Sequence, residues 1–521
     1  MKSIGTLQKI PFLNNIKAVY VLLLLFVLLD RIFIYIHFNS NFVGNDDLIF
    51  WQGATDYLKG DFYSPYFYGQ NYNVMLESFF AIPFLKLGLS FPLAFFIATS
   101  SISLFPFLFF SFVLFKRKYT SEALFFLIIP LLLPIEYGII TSMSRGFVNG
   151  LFFSGFFIFS LLNPEKKGYW VITALATSIG YVVNPSIVIV AFPLYIYLLF
   201  INFRKVSFYL YSILAVAPAL AWEIIAQVFY AENPEYLLNP LMELKFNLSL
   251  FLKSFHQPTI FFGYLTPVIW PVGWLILFII LFIGIRLLKL DFKKGVAILS
   301  TLLFIILTLG INKVHTYMDS IFLPASRMYL GIPIFTGIIF FWSRSLLTKI
   351  TDRQLQFSLL SAAFLAIFLK LFLYTSTVNK HTASTVYGGV SIIKLEDLKC
   401  DCDKIKQIAI NKQIDLVVPV ATWYYGSVSN KEFINYGCSI LEEDFPTTML
   451  NIYEKRSWVK VDVKNWPGKN ILFYGTPKDM NKLRTIENCE IIDDNPDHTI
   501  FIIKNNTLGI DALLDKVGVN Y

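Results

Sequence analysis

Along most of this chain apolar residues neither alternate nor recur at three- or four-residue spacing; they run on. Long apolar stretches occupy residues 18–37, 91–116, 122–140, 147–162, 169–183, 185–201, 206–229, 264–287, 296–311, 328–342 and 357–375. Stretches of this length predict helices that cross the roughly 30 Å hydrocarbon layer of a membrane. Basic residues punctuate them: Lys2, Lys9 and Lys17 precede the first, Lys116-Arg117-Lys118 ends the second, and Lys166-Lys167, Arg204-Lys205, Arg286, Lys289, Lys293, Lys294, Arg344 and Lys349 follow. Placing these clusters on one side, the cytoplasmic one, gives about eleven crossings with the N-terminus inside and the C-terminus outside. The first stretch is too long for a signal-peptide core and lacks a small-residue cleavage site, so it reads as an uncleaved span. Residues 76–89 contain Glu77, Pro83 and Lys86 and are too short to cross, which predicts an interfacial or re-entrant helix and makes residues 39–90 one large outer loop.

After residue 377 the pattern changes. Charges become frequent, and the apolar runs shrink to strand length at 414–420, 458–463, 471–474, 490–492 and 499–503, with a helix at 477–486. The expected architecture is a polytopic α-helical membrane domain, residues 1–377, followed by an extracytoplasmic α/β domain, residues 378–521.

Composition agrees. Of 521 residues, 56% are hydrophobic and 17% aromatic, and only 15% are charged, against about 25% in an ordinary globular domain. The formal net charge of +8 reports the basic clusters beside the spans rather than a nucleic-acid partner. No Gly-rich phosphate loop, metal-spaced Cys/His set or nucleophile elbow is present. All four cysteines, Cys400, Cys402, Cys438 and Cys489, lie in the tail. In an outside domain they imply one or two disulfides, with Cys400 and Cys402 too close to pair with each other. A zinc site on Cys400-Asp401-Cys402 is the rival, but its spacing fits no standard pattern.

The chemistry belongs in the first outer loop. Asn45-Asp46-Asp47 precedes Leu48, Trp51, Tyr57 and Leu58 at helical spacing, with Asn45 or Asp46 able to cap the start and Gly60 the end. This predicts an amphipathic helix on the membrane surface, presenting two adjacent carboxylates just beyond a membrane exit. Capping and the helix dipole alone also favour Asp there. Asp30-Arg31, inside the first span, is expensive in lipid and must face protein or each other, which reads as a structural ion pair.

Asp46-Asp47, then Gly60-Asp61-Phe62-Tyr63-Ser64-Pro65, then Phe67-Tyr68-Gly69-Gln70-Asn71-Tyr72 and Leu76-Glu77, resemble the first loop of the GT-C superfamily of membrane glycosyltransferases. The similarity is to the branch of protein O-mannosyltransferases and the lipid A aminoarabinose transferase; motif-level likeness covers residues 44–90. The resemblance implies an inverting glycosyltransferase of the bacterial inner membrane that moves a sugar from a polyprenyl-phosphate donor to a hydroxyl acceptor on a lipid, glycan or protein. It makes Asp46 the base and Asp47 its orienting or substituting neighbour. A cation must meet the lipid phosphate: Arg145 and Arg327, at outer ends of spans, are the first candidates, and Arg327-Met328-Tyr329-Leu330 with Pro333 is similar to a late Arg-Tyr motif of the family, with an extra Met and a wider gap. Lys313 and His315 are further phosphate candidates, Glu77 a donor-binding one, and Tyr63, Tyr68, Gln70 and Tyr72 candidate contacts to sugar or acceptor, although Tyr also gathers at membrane interfaces. His256 is a candidate by location alone. No cofactor is implied; oligosaccharyltransferase relatives need a divalent cation, and the single acidic motif here argues against one. A transporter or flippase, or an inactive homologue acting as a scaffold, are the alternatives, but no repeat relates the two halves of the chain.

Overall fold

The computed structural model describes residues 15–317, 320–383, 392–420, 437–442, 445–448, 469–475, 488–495, 498–509, 512–513 and 516. Helix α1 (Ile16–Ile34) runs on through a wide π-type turn to Asn39, and strand β1 (Phe42–Gly44) leads into α2 (Asn45–Lys59). Strand β2 (Gly69–Gln70) precedes α3 (Leu76–Lys86) and α4 (Phe91–Lys116). The apolar body continues through α5 (Thr120–Leu132), α6 (Ile135–Ile140), α7 (Asn149–Phe152), α8 (Ile158–Leu162), α9 (Lys167–Val183), α10 (Val188–Asn202) and α11 (Val206–Glu232). Strand β3 (Leu237–Asn239), short helices α12 (Leu248–Ser254) and α13 (Pro258–Phe262), and then α14 (Gly273–Leu290), α15 (Phe292–Thr308), α16 (Ile332–Trp342) and α17 (Asp352–Ala383) complete it. The tail supplies β4 (Ile392–Lys394), α18 (Leu395–Lys412), β5 (Leu416–Val420), β6 (Thr447–Thr448), β7 (Ile471–Gly475), β8 (Cys489–Asn495) and β9 (His498–Ile503).

This is an integral membrane protein. Among the described residues seven helical segments are long and apolar enough to cross a bilayer: Ile16–Asn39, Phe91–Lys116, Pro185–Asn202, Val206–Glu232, Gly273–Leu290, Ala325–Leu347 and Asp352–Thr382. The other four expected spans are helical but shorter or broken: a tight helical stretch over Phe153–Phe157 divides 147–162, and proline explains the break in 122–140. Pro134 separates α5 from α6, and the Leu132 carbonyl freed there accepts the Val268 N–H at 2.7 Å. That contact brings the 263–272 segment against the break. Pro267 and Pro271 hold that segment out of helix, so α14 starts at Gly273 rather than near 264. A one-turn tight helix over Ala325–Tyr329 likewise precedes α16.

In the tail, five strands form one sheet in the order β6-β5-β7-β9-β8, with β5 parallel to β6 and β7 and the β7-β9-β8 portion antiparallel. The expected strand at 458–463 and helix at 477–486 lie outside the described residues. Cys402 and Cys438 are disulfide-bonded, while Cys400 and Cys489 are free thiols, so Cys402 does not serve the zinc alternative.

Two features were not expected. Strand β4 pairs antiparallel with β1, Val43 opposite Ile393, which ties the tail to the residues just before Asp46. The loop helix α2 is not amphipathic on a membrane surface: Asp47 through Ala54 are all buried. Its run Leu48-Ile49-Phe50-Trp51 is apolar all round, as in a helix covered on both sides. These residues share one core with Met75, Ala81 and Phe95 of the membrane body and with Leu398, Cys402, Ile405, Val417 and Leu472 of the tail.

Asp30 and Arg31 also resolve differently from a closed pair. Asp30 Oδ1 accepts from Lys370 Nζ at 3.0 Å and from the Tyr374 hydroxyl, both on α17, whereas Arg31 turns to the end of α6. Asp30, Arg31 and Lys370 are all buried. Removing one partner of a buried ion pair strands the other charge at a cost of about 3–5 kcal/mol, whereas removing both is far less disruptive. Lys370→Met is therefore expected to lower the thermal unfolding temperature in detergent sharply, and Asp30→Asn combined with Lys370→Met to recover most of the loss; equal loss in both variants would refute the pairing.

Candidate active site

The loop from α1 through β1 places Asp46 and Asp47 in the first turn of α2, where unsatisfied backbone N–H groups favour carboxylates. Asp47 sits at the third position of the helix. Its Oδ2 accepts the Gly44 N–H at 2.8 Å, closing the cap, and its Oδ1 accepts the Ser144 N–H at 2.7 Å from the segment after α6. Both oxygens of this buried carboxylate are thus engaged by backbone. Burial pushes its pKa up to about 6, against the opposing pull of Arg145 and the two N–H groups; the charge of Asp46 adds to the rise.

Asp46 differs. Its side chain keeps 29% of its surface accessible, and Oδ2 lies 3.9 Å from Arg145 Nη1. Arg145 is buried in a turn that Gly146 makes possible by adopting a φ of +72°. Arg145 Nη1 donates to the Phe322 carbonyl, and the guanidinium stands 5.8 Å from the Phe322 ring centroid. Its Nε and Nη2 are buried and have no hydrogen-bond partner among the described residues. A Cβ on Gly44 would lie 2.5 Å from Arg145 Nη2 and 2.8 Å from Asp47 Oδ2, so only glycine permits this approach.

Glu77 is not open to a donor, contrary to expectation. It is fully buried beneath the Arg145 turn, its Oε1 accepting the Gly146 N–H at 2.8 Å and its Oε2 accepting from Asn149 Nδ2. Asn184 Nδ2 completes the support by donating to the Gly146 carbonyl at 2.9 Å and to Asn73 Oδ1 at 2.6 Å. Burial pushes the Glu77 carboxyl up to about 7, opposed by the Asn149 and Gly146 bonds and reinforced by the Asp47 charge.

Two more cations and one tyrosine join the Asp46 side. Buried Arg327 donates to the carbonyls of Leu323 (3.3 Å), Pro324 (2.8 Å) and Thr316, so much of its donor capacity is taken by its own loop. Its charge still acts on Tyr72, Lys313 and Arg145. Lys313 Nζ lies 5.2 Å over the Tyr72 ring; burial and the nearby Arg327 lower its pKa. Tyr72 is raised by burial and by Asp46, and Arg327 opposes the rise.

The remaining candidates lie elsewhere. His315 Nε2 bonds the Leu309 carbonyl at 2.8 Å and approaches Ser254 Oγ at 3.4 Å, bracing its loop rather than joining the cation cluster. Tyr68 is wholly buried, its hydroxyl donating to Asp56 Oδ2 at 2.7 Å, which pins the loop to α2 and leaves no surface for a sugar. Tyr63 packs on the core shared by α2 and the tail. Gln70 is held by the β2–β3 pair, and its carbonyl accepts the Tyr230 hydroxyl at 2.6 Å. His256 is exposed at the end of α12. The described residues contain no group of three His, Cys, Asp or Glu side chains placed to hold a metal.

The sequence reading missed the Ser144 N–H, the Asn149–Asn184 support and the Phe322 carbonyl. Backbone donors leave no mark in a sequence, but Asn149 and Asn184, polar within or beside apolar runs, were a readable signal.

The crystal structure of ArnT from Cupriavidus metallidurans in the apo state superposes with a TM-score of 0.57 at 12% identity, over 92% of this chain and 97% of that one. ArnT from the same organism bound to undecaprenyl phosphate aligns at 0.48 and 10% identity, over 93% of this chain and 98% of that one. No protein-family model and no curated protein sequence matches the chain. The membrane body with its appended tail therefore has the GT-C type of fold.

The two buried carboxylates fix a sign. Their folded pKa values, about 6 and about 7, lie above the ordinary 3.8 and 4.5, so they bind protons more tightly folded than unfolded. Their contribution to stability is full at low pH and is lost as pH rises through the folded values. Thermal unfolding measured from pH 4 to 8 is expected to show that decline, and Glu77→Gln to flatten it between about pH 4.5 and 7; an unchanged slope would remove Glu77 as its source.

Proposed function

We propose that this chain is an inverting glycosyltransferase that moves a sugar from a polyprenyl-phosphate donor to a hydroxyl acceptor at the outer face of a bacterial inner membrane. The observation that carries this reading is Arg145: a buried guanidinium with two nitrogens that have no hydrogen-bond partner among the described residues, standing 3.9 Å from a partly accessible carboxylate. Buried N–H donors without acceptors are costly, and one on a cation favours an anion. The fold shared with ArnT supports the same reading, as does the likeness of residues 44–90 to the GT-C loop.

Asp46 acts as base. As the acceptor oxygen attacks C1 its proton passes to the Asp46 carboxylate, the new C1–O bond forms, and the bond from C1 to the phosphate oxygen breaks on the opposite face, inverting the anomeric centre. The bonding electrons leave with the polyprenyl phosphate. Arg145 binds that phosphate, and the charges of Arg327 and Lys313 stabilise the negative charge that develops on it. Asp47 holds Arg145 and Asp46 in register instead of exchanging protons, and Tyr72 stands near enough to the base to feel its charge. No metal enters the scheme. The N-terminus then lies in the cytoplasm, with the loop and the tail outside.

The test is transfer of label from radiolabelled polyprenyl-phosphate sugars to components of a membrane extract by the purified protein. Asp46→Asn is expected to lower kcat by about 10²- to 10⁴-fold with the unfolding temperature unchanged, and Arg145→Lys to raise the donor KM. A wild type that only moves the lipid between leaflets would make it a flippase; a function indifferent to Asp46→Asn would make it a scaffold.

A further inference from the structure

We infer that Arg31, inside the first span, is a positioning residue for the Asp46–Arg145 site, setting the height of the 138–146 segment against α1; this rests on the function proposed above. A guanidinium within a span is costly unless it has a task, and none of the proposed chemistry uses this one. Arg31 is buried and donates from Nη1 to the Gly138 carbonyl at 3.2 Å and to Thr141 Oγ1 at 3.0 Å. Asp30, beside it, is held by Lys370 and Tyr374, so the rung is anchored to α17 as well.

Arg31 begins a ladder. Along α1 and its continuation, Asn39 exchanges two bonds with Ser142: its Nδ2 donates to the Ser142 carbonyl at 3.2 Å, and its Oδ1 accepts from Ser142 Oγ at 2.9 Å. The third rung is Asp47, accepting the Ser144 N–H at 2.7 Å. One strand of the ladder ends in Asp46, the other in Arg145. Close packing marks the foot: Ile34 Cδ1 of α1 seats against the bare backbone of Gly138, where a Cβ would lie 2.2 Å from it. The separation of base from phosphate-binding cation is thus set by three polar rungs and one tight contact. Both bonds of the first rung leave one nitrogen, Nη1, which joins a carbonyl and a hydroxyl one turn apart while the group keeps its charge.

The experiment uses the full chain in lipid nanodiscs, comparing wild type, Arg31→Met and Arg31→Lys by amide hydrogen exchange and by kinetics with a radiolabelled polyprenyl-phosphate sugar. Arg31→Met is expected to speed exchange in peptides spanning 138–146 while the α14–α15 hairpin stays protected, and to lower kcat/KM by about 10²-fold, as for a displacement of about 1 Å at a reacting site. Arg31→Lys is expected to recover part of both. Protection of 138–146 equal to wild type in Arg31→Met, loss spread equally into α14–α15, or no recovery in Arg31→Lys would each overturn the inference. If Arg31→Met does not insert, Thr141→Val removes the hydroxyl end of the rung, and unchanged exchange at 138–146 there would overturn it. A wild type that transfers no sugar sinks the proposed function alone, because the exchange measurement still decides whether Arg31 holds the segment.

Discussion

One carboxylate holds the site together. Asp47 joins two segments 97 residues apart in sequence by taking the Gly44 N–H on one oxygen and the Ser144 N–H on the other. Hydrogen bonds to an ionised acceptor are the short, strong kind, and burial removes the water that would compete for them. The same burial penalises the anion, and Arg145 offsets part of that penalty. Loop, turn and cation are therefore mutually dependent: without the turn Asp47 loses a donor, and without Asp47 the turn that carries Arg145 loses its backbone hydrogen bond to α2.

Adjacent residues of identical chemistry thereby acquire different surroundings. Asp47 has each oxygen matched to a backbone donor and is almost fully covered, whereas Asp46 retains accessible surface beside a guanidinium. Separate environments are what let two neighbouring carboxylates divide a structural from a chemical duty. Glu77 extends the pattern. Fully buried on the far side of the Arg145 turn, it secures Gly146 as Asp47 secures Ser144, so Arg145 projects from a turn held on both flanks. A cation held in this way loses little entropy when an anion arrives.

Length and hydropathy made the membrane body legible, because a span must satisfy its backbone internally and therefore announces itself as a long apolar run. The breaks were less legible: Pro134, Pro267 and Pro271 stood in plain view, but whether proline kinks or ends a helix depends on whether a neighbour satisfies the freed carbonyl, here Val268 for Leu132. In the site, Asp46, Asp47, Arg145, Arg327, Lys313 and Tyr72 were named from sequence and come together. Glu77, His315 and Tyr68 were named for the right residue type and the wrong surroundings, since exposure is a property of the fold. The pairing of Asp30 with Lys370 joins residues 340 positions apart, and no local pattern encodes a contact of that range.

Helix α2 explains the bond between tail and membrane body. A helix carrying Leu48-Ile49-Phe50-Trp51 cannot rest one face in water, and β1, three residues long, leaves backbone groups unpaired unless another strand meets it. Both needs are met by the same segment of chain: β4 pairs with β1, and α18, which follows it directly, lays Leu398, Cys402 and Ile405 into the core beneath α2. The Cys402–Cys438 bridge joins α18 to the 437–441 turn, where a Cβ on Gly437 would lie 3.2 Å from Leu48 Cδ1. The residue next to Asp47 is thus packed against the tail, while Asp47 itself is bonded to the turn of the membrane body. Placement of Asp46 is fixed from both sides, as the proposed base would need when small displacements are expensive.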